Sequence, residues 1–243
     1  KLIFLDVNHE DFNINLNEIK KAITSNTKVI MPVDFAGLPC NYDAINALVK
    51  SEEVKSLFKA NTPEQKKLGR ILILSDAAHS VGAEVNGIQS GALCDVSVFS
   101  FHAVKNLTTS EGGAVVFNLP EPFNNLEIYN ALCIKTLHGQ NKDALAKTQK
   151  GNWKYDIVEP GYKCNMTDIS AAIGLVELAR YNSMILPKRK YICETYSSIL
   201  GKYEWAHLPV LKDSERETSY HLYPLRINHI TEIQRDAILQ KIF

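Results

Sequence analysis

Three short stretches of the 243-residue chain carry side chains that can do chemistry. ILILSDAAHS holds Asp76 and His79, VFSFHAVKNLTT holds Ser100 and Lys105, and EGGAVVF holds Gly112 and Gly113. A lysine amine that has lost its proton is a nucleophile toward a carbonyl carbon and a general base. A carboxylate can keep a nearby ring nitrogen protonated, and an imidazole can pack beside a flat ring. Taken singly, a lysine after a strand is usually solvated and an aspartate there usually forms a turn; His102, in the same stretch as Lys105, reads as structural. Placement argues for more. Asp76 directly follows one apolar run, Ser100 ends the next and Lys105 lies just beyond it, and open α/β sheets bind ligands in the crevice past the carboxyl ends of their strands.

The elements that must position these residues are short apolar runs, KVIMPVDF, RILILSDAA, DVSVFSF and GGAVVFN, alternating with helical patterns. That alternation predicts an α/β fold, a mostly parallel or mixed sheet covered by helices. ILIL and VSVF carry no polar face, so burial on both sides is expected. One helix is predicted from Tyr42 to about Phe58, and FKANTPEQKKLGR, with Pro63 and Gly69, reads as a surface connection. KLIFLDVNHE reads as a strand under way and QRDAILQKI as a helix, so both ends look cut from a longer protein. Beyond Gly161 a long helical pattern begins, with Thr167 and Asp168 as caps and Pro187 as a kink or break. TSYHLYPLRIN alternates like a strand. The expected division is a large domain over residues 1–180 and part of a smaller α+β domain over 181–243.

With 45% hydrophobic residues the chain can bury a large core, and its 27 basic and 27 acidic residues give no charge that would recruit nucleic acid. Cys40, Cys94, Cys133, Cys164 and Cys193 are odd in number and lack a CxxC pair, which suits reduced thiols better than disulfides or zinc. No metal is expected, no secretory leader is evident, and no apolar run looks long enough to cross a bilayer.

VDFAGLPCNYDAI, SDAAHSVGAEVNG, FSFHAVKNLTTSEGGAVV and EPGYKCNMTDISAAIGLVEL lie in order across residues 33–178. Together they resemble the DegT-type (DegT/DnrJ/EryC/StrS) sugar aminotransferases, which depend on pyridoxal 5'-phosphate (PLP). The resemblance implies the three-layer PLP-transferase fold of type I, that of aspartate aminotransferase. It makes Lys105 the residue that forms a Schiff base with the cofactor and Asp76 the partner of the pyridine nitrogen. His79 would sit beside the ring and Ser100 would contact the phosphate. Asn165 would reach the phosphate of a neighbouring subunit, making the active unit a homodimer, and His221 aligns loosely with a histidine near the substrate.

The reaction implied is transfer of an amino group, commonly from glutamate, to a keto group of a nucleotide-linked sugar by ping-pong half-reactions in the cytoplasm. Some relatives carry a histidine in place of the lysine and dehydrate sugars; Lys105 favours amination. A catalytically silent homologue serving as an interaction or regulatory module, and a lyase or desulfurase on the same fold, are the other readings. The family's usual phosphate-binding glycine/serine/threonine turn would lie upstream of Lys1. HGQNKDALAKTQKGNWKYDIVEPGYK is expected to shape substrate choice.

Overall fold

The computed structural model describes residues 1–142, 147, 149–151 and 153–242; part of the segment expected to shape substrate choice lies outside these. A four-stranded sheet organises the first half of the chain. Its strands are β1 (Val29–Ile30), β2 (Leu72–Asp76), β5 (Val96–Ser100) and β6 (Gly113–Phe117), in the order β1-β2-β5-β6. The first three run parallel and β6 is antiparallel to β5. Helices α1 (Leu16–Ala22), α2 (Tyr42–Lys50) and α3 (Glu52–Leu57) cover one face, closing a core of Ile19, Ile30, Ile45, Val49, Val54, Ile71 and Ile73. Strand alternation does the sorting: Ile73 and Ser75 are buried, while Leu72, Leu74 and Asp76 between them are partly exposed. At the base of β2 and β5, Arg70 and Asp95 form a bidentate pair at 2.7 Å, both nearly buried, and Asp95 also accepts the Ile73 N–H.

The two-sided burial expected of VSVF is not found. Val98 on β5 is 39% exposed and Val115 on β6 is 47% exposed. An apolar run records that both faces of a strand avoid water, not which element supplies the cover.

The helix predicted from Tyr42 to Phe58 is two helices. Ser51 adopts an extended conformation, donates its N–H to the Leu48 carbonyl and caps α3 by accepting from the Val54 N–H. The stretch read as a surface connection contains α4 (Pro63–Leu68), with Thr62 as its N-cap and Gly69 as a left-handed C-cap. The first residues form no strand beyond a single bridge, Val7 to Ile14, and Leu2, Ile3 and Phe4 are exposed.

Beyond α5 (Asn125–Thr136), α6 (Asp168–Arg180) starts at Thr167, whose hydroxyl accepts the Ser170 N–H as expected. It continues through a π-helical turn (Tyr181–Ile185) into α7 (Leu186–Leu200). Pro187 does not break this rod. A proline ring crowds the carbonyl four residues earlier, and the widened turn just before it absorbs the misfit. The rod does have the length and apolar composition to cross a bilayer, contrary to the sequence reading. However, it carries Glu177, Arg180, Lys188, Arg189 and Lys190, and it buries Tyr181 and Cys193 within the fold.

TSYHLYPLRIN is not one strand. β8 (Arg216–Glu217) pairs with β3 (Glu84–Val85), which also pairs with β4 (Ile88–Gln89). β9 (Arg226–Ile227) pairs with β7 (Ala206–His207). Between β8 and β9, Tyr220 takes a φ of 57°, which interrupts the extension. A last helix, α8 (Glu232–Ile242), follows.

Candidate active site

Asp76 ends β2 and Ser100 ends the adjacent parallel strand β5, so both stand at the carboxyl edge of the sheet. Asp76 is held by its backbone, donating to the Pro32 carbonyl at 2.9 Å and accepting from the Asp34 N–H at 3.1 Å. Its Oδ1 accepts the Ala78 N–H at 3.1 Å, a turn-forming bond that leaves Oδ2 without a partner among the described residues. Ser100 Oγ accepts the His102 N–H at 3.3 Å, opening the loop that carries Lys105. Lys105 is half-buried and tied by its own N–H to the His102 carbonyl. No hydrogen bond or ion pair among the described residues holds its Nζ. His102 itself is exposed, 3.7 Å from Glu111.

His79 and His221 pack ring against ring, centres 4.4 Å apart and planes tilted by 38°. Burial lowers the pKa of His79 first and the positive charge of Lys105 lowers it further, while Asp76 opposes them. His221 is pushed down to about 4 by burial first, then by His79, Lys105 and Arg189. Both rings are therefore neutral near pH 7, and the same interactions set Asp76, His79, Lys105 and His221 in one cluster. His79 Nδ1 is buried with no partner among the described residues.

Asn106 belongs to this cluster, and the sequence reading missed it. Its carboxamide meets His221 Nδ1 at 2.8 Å, the Ser219 carbonyl at 2.7 Å and the Tyr181 hydroxyl at 3.4 Å. The available signal was its place next to Lys105. Its partners lie 75 to 115 residues away in the chain, beyond the reach of any local pattern.

Asp34 was missed too. It is fully buried, accepting from the Cys40 N–H at 3.0 Å, the Tyr42 hydroxyl at 2.8 Å and the Ser80 hydroxyl at 2.7 Å. Burial pushes its carboxyl up to about 6 against those bonds. Through Ser80 it anchors the turn bearing His79. Gly37, at φ 100°, lets the Ser219 segment close over that turn, since a Cβ there would lie 2.1 Å from Ser219 Oγ.

Asn165 stands apart. It is exposed, accepts from Lys163 Nζ and donates to the Met166 carbonyl at 3.2 Å, with no bond to the Lys105 cluster. Two hollows in the chain also lie elsewhere, one against Phe12, Phe35 and Leu222 and the other against Arg70 and Asp95.

The pattern of the DegT/DnrJ/EryC1/StrS aminotransferase family matches residues 1–61 and 65–242. This chain belongs to that family. Among curated relatives it is 37% identical over 229 residues to the uncharacterised protein MJ1066 of Methanocaldococcus jannaschii, covering 94% of this chain and 53% of the relative. It is 30% identical over 227 residues to the spore coat polysaccharide biosynthesis protein SpsC of Bacillus subtilis, covering 93% and 52%. The chain thus spans about half the length of the curated relatives it matches. Among solved structures, Spr1654 of Streptococcus pneumoniae, a candidate sugar aminotransferase, superposes in its PMP form with a TM-score of 0.90 at 42% identity, covering 99% of this chain and 59% of that one. PseC of Helicobacter pylori, an aminotransferase of pseudoaminic acid biosynthesis, gives 0.77 at 25% identity, covering 98% and 56%. The fold is that of the PLP-dependent sugar aminotransferases, α/β with a mixed, mostly parallel sheet.

Members of this family use PLP, and the residues present fit it. Among the described residues, an amine without a partner, a carboxylate with one oxygen uncommitted and an imidazole with an orphaned buried nitrogen share one edge of the sheet. These groups suit an aldehyde, a protonated ring nitrogen and a flat aromatic ring.

Proposed function

We propose that this chain forms the catalytic core of an aminotransferase that moves an amino group, drawn from glutamate, onto a keto group of a nucleotide-linked sugar. The carrying observation is Lys105 Nζ, half-buried beside His79 and His221 yet bound by nothing among the described residues. A lysine kept for structure would be paired or solvated.

Bound PLP supplies an aldehyde and an electron-withdrawing ring. Lys105 would hold the group through that aldehyde, and its Nζ is the general base that would take and return a proton. Asp76 Oδ2 keeps the ring nitrogen protonated. His79 packs beside the ring, and the two neutral imidazoles add no positive charge of their own to the cluster. Ser100 contacts the phosphate. Asn165, bonded among the described residues only within its own loop, serves the site of a second copy, so the working unit is a homodimer. With residues 1–180 read as the large domain and 181–243 as part of a smaller one, Asp76, His79 and Lys105 belong to the first and His221 to the second. Five free cysteines, two of them exposed, suit the cytoplasm.

Incubating the purified chain with PLP should give a visible absorbance band that borohydride bleaches and that Lys105→Ala lacks. A protein that stays colourless overturns the reading. With glutamate and a nucleotide-linked keto-sugar, the amino-sugar should form; release of sulfide or ammonia from an amino acid alone would point to a desulfurase or lyase instead.

A further inference from the structure

The hydrogen bonds around Asn106 fix a proton by elimination. The Val81 carbonyl can only accept, so the Tyr181 hydroxyl hydrogen points to it, across 2.5 Å. With its hydrogen spent, the Tyr181 oxygen accepts from Asn106 Nδ2 at 3.4 Å. The Ser219 carbonyl, which also only accepts, takes a second hydrogen from the same Nδ2 at 2.7 Å. The amide nitrogen of Asn106 therefore faces Ser219 and Tyr181, and its oxygen faces His221 Nδ1 at 2.8 Å. An oxygen there requires a hydrogen on Nδ1. Because a neutral imidazole carries one N–H, Nε2 is left bare, and it has no partner among the described residues.

We propose that Asn106 is a positioning residue that locks His221 in its Nδ1-protonated tautomer, so that a bare Nε2 is offered as an acceptor to a hydroxyl or ammonium group of the substrate entering beside Lys105. This deepens the aminotransferase reading and rests on it for the identity of the incoming donor. The wiring itself belongs to the chain alone. The tilted packing of His221 on His79, 4.4 Å between ring centres, orients the imidazole, and burial helps to keep it neutral. Asn106 thus couples three segments, the Lys105 loop, the π turn at Tyr181 and the Ser219–His221 stretch, to the protonation of one ring nitrogen.

The test uses the full chain without cofactor, labelled with ¹⁵N-histidine, and reads two-bond ¹H–¹⁵N correlations near pH 7, where a bare ring nitrogen resonates far downfield of a protonated one. The signals of His221 are identified by their loss in His221→Gln. Wild type should show a protonated Nδ1 and a bare Nε2. Asn106→Ala removes the acceptor, so the signals should move toward the Nε2-protonated form that free imidazole prefers. Asn106→Asp keeps an acceptor at Nδ1 and adds a negative charge, so Nδ1–H should persist and the His221 titration should rise by about one pH unit or more. An Nε2-protonated His221 in wild type overturns the proposal without any variant, and so does an Asn106→Ala chain with an unchanged tautomer. Because the readout needs no cofactor, a wrong tautomer leaves the colour test of function standing. A colourless protein with the expected tautomer removes the aminotransferase reading instead.

Discussion

Asp34 shows how one buried carboxyl can link pH to the geometry of the site. Its ordinary value is 3.8 and its folded value about 6, so between those limits the folded chain holds a proton that the unfolded chain has released. Its contribution to stability is therefore fully present below 3.8 and is lost as pH rises through about 6, by up to about 3 kcal/mol. Asp34→Asn carries no charge and should remove that slope. Urea midpoints for wild type and variant should differ more at about pH 5 than at about pH 7.5, in favour of wild type at the lower value; parallel profiles would contradict the assignment. The bonds from Tyr42 and Ser80 make Asp34 a brace for the His79 turn, and because both hydroxyls donate to it, they tighten as the carboxyl loses its proton.

Among the elements, β2 and β5 carry Asp76 and Ser100, and the Arg70–Asp95 pair pins their opposite ends. Asp95→Ala leaves a nearly buried guanidinium without its counter-charge and should cost about 3–5 kcal/mol. The double variant Arg70→Leu/Asp95→Leu buries no lone charge and should cost less in the same denaturant titration. Equal losses would mean that the pair acts by shape alone.

The legible elements were those whose pattern is local. ILIL and VSVF declared strands because their apolar runs are short and bounded, and Thr167 declared a helix start because its hydroxyl sits where an N-cap must. The placement of Asp76 at a strand end and of His79 and Lys105 in the turns beyond was legible in the motifs that carry them. The break at Ser51 was hidden because one serine can end one helix and cap the next without disturbing the apolar spacing. The run from Ser219 to Pro224 alternates like a strand, yet packs on Gly37 and Asn106 with Tyr220 at positive φ, a tertiary choice that no local pattern encodes. Asn106 and Asp34 escaped for the same reason. Their partners are decided by topology.

At the scale of the molecule, one face of the sheet and much of the α6–α7 rod present apolar side chains to solvent. Val98, Val115, Ile169, Val176 and Leu178 are all exposed. Surfaces of this kind are interaction surfaces or aggregation hazards. With the homodimer proposed above, the 27.2 kDa chain should sediment as a heavier species whose share grows with concentration. A single species of chain mass at all concentrations would show that copies do not cover this face.

The bond between Asn106 and His221 spans 115 residues of chain. On a ribosome adding roughly 5–20 residues per second, the Lys105 loop emerges about 6–23 s before the histidine that completes its surroundings. For that interval the nascent protein carries His79 and Lys105 without the second imidazole, that of His221, beside them. A product cut short before His221 would keep the lysine motif but never finish the cluster, so translation itself separates making the lysine loop from enclosing it.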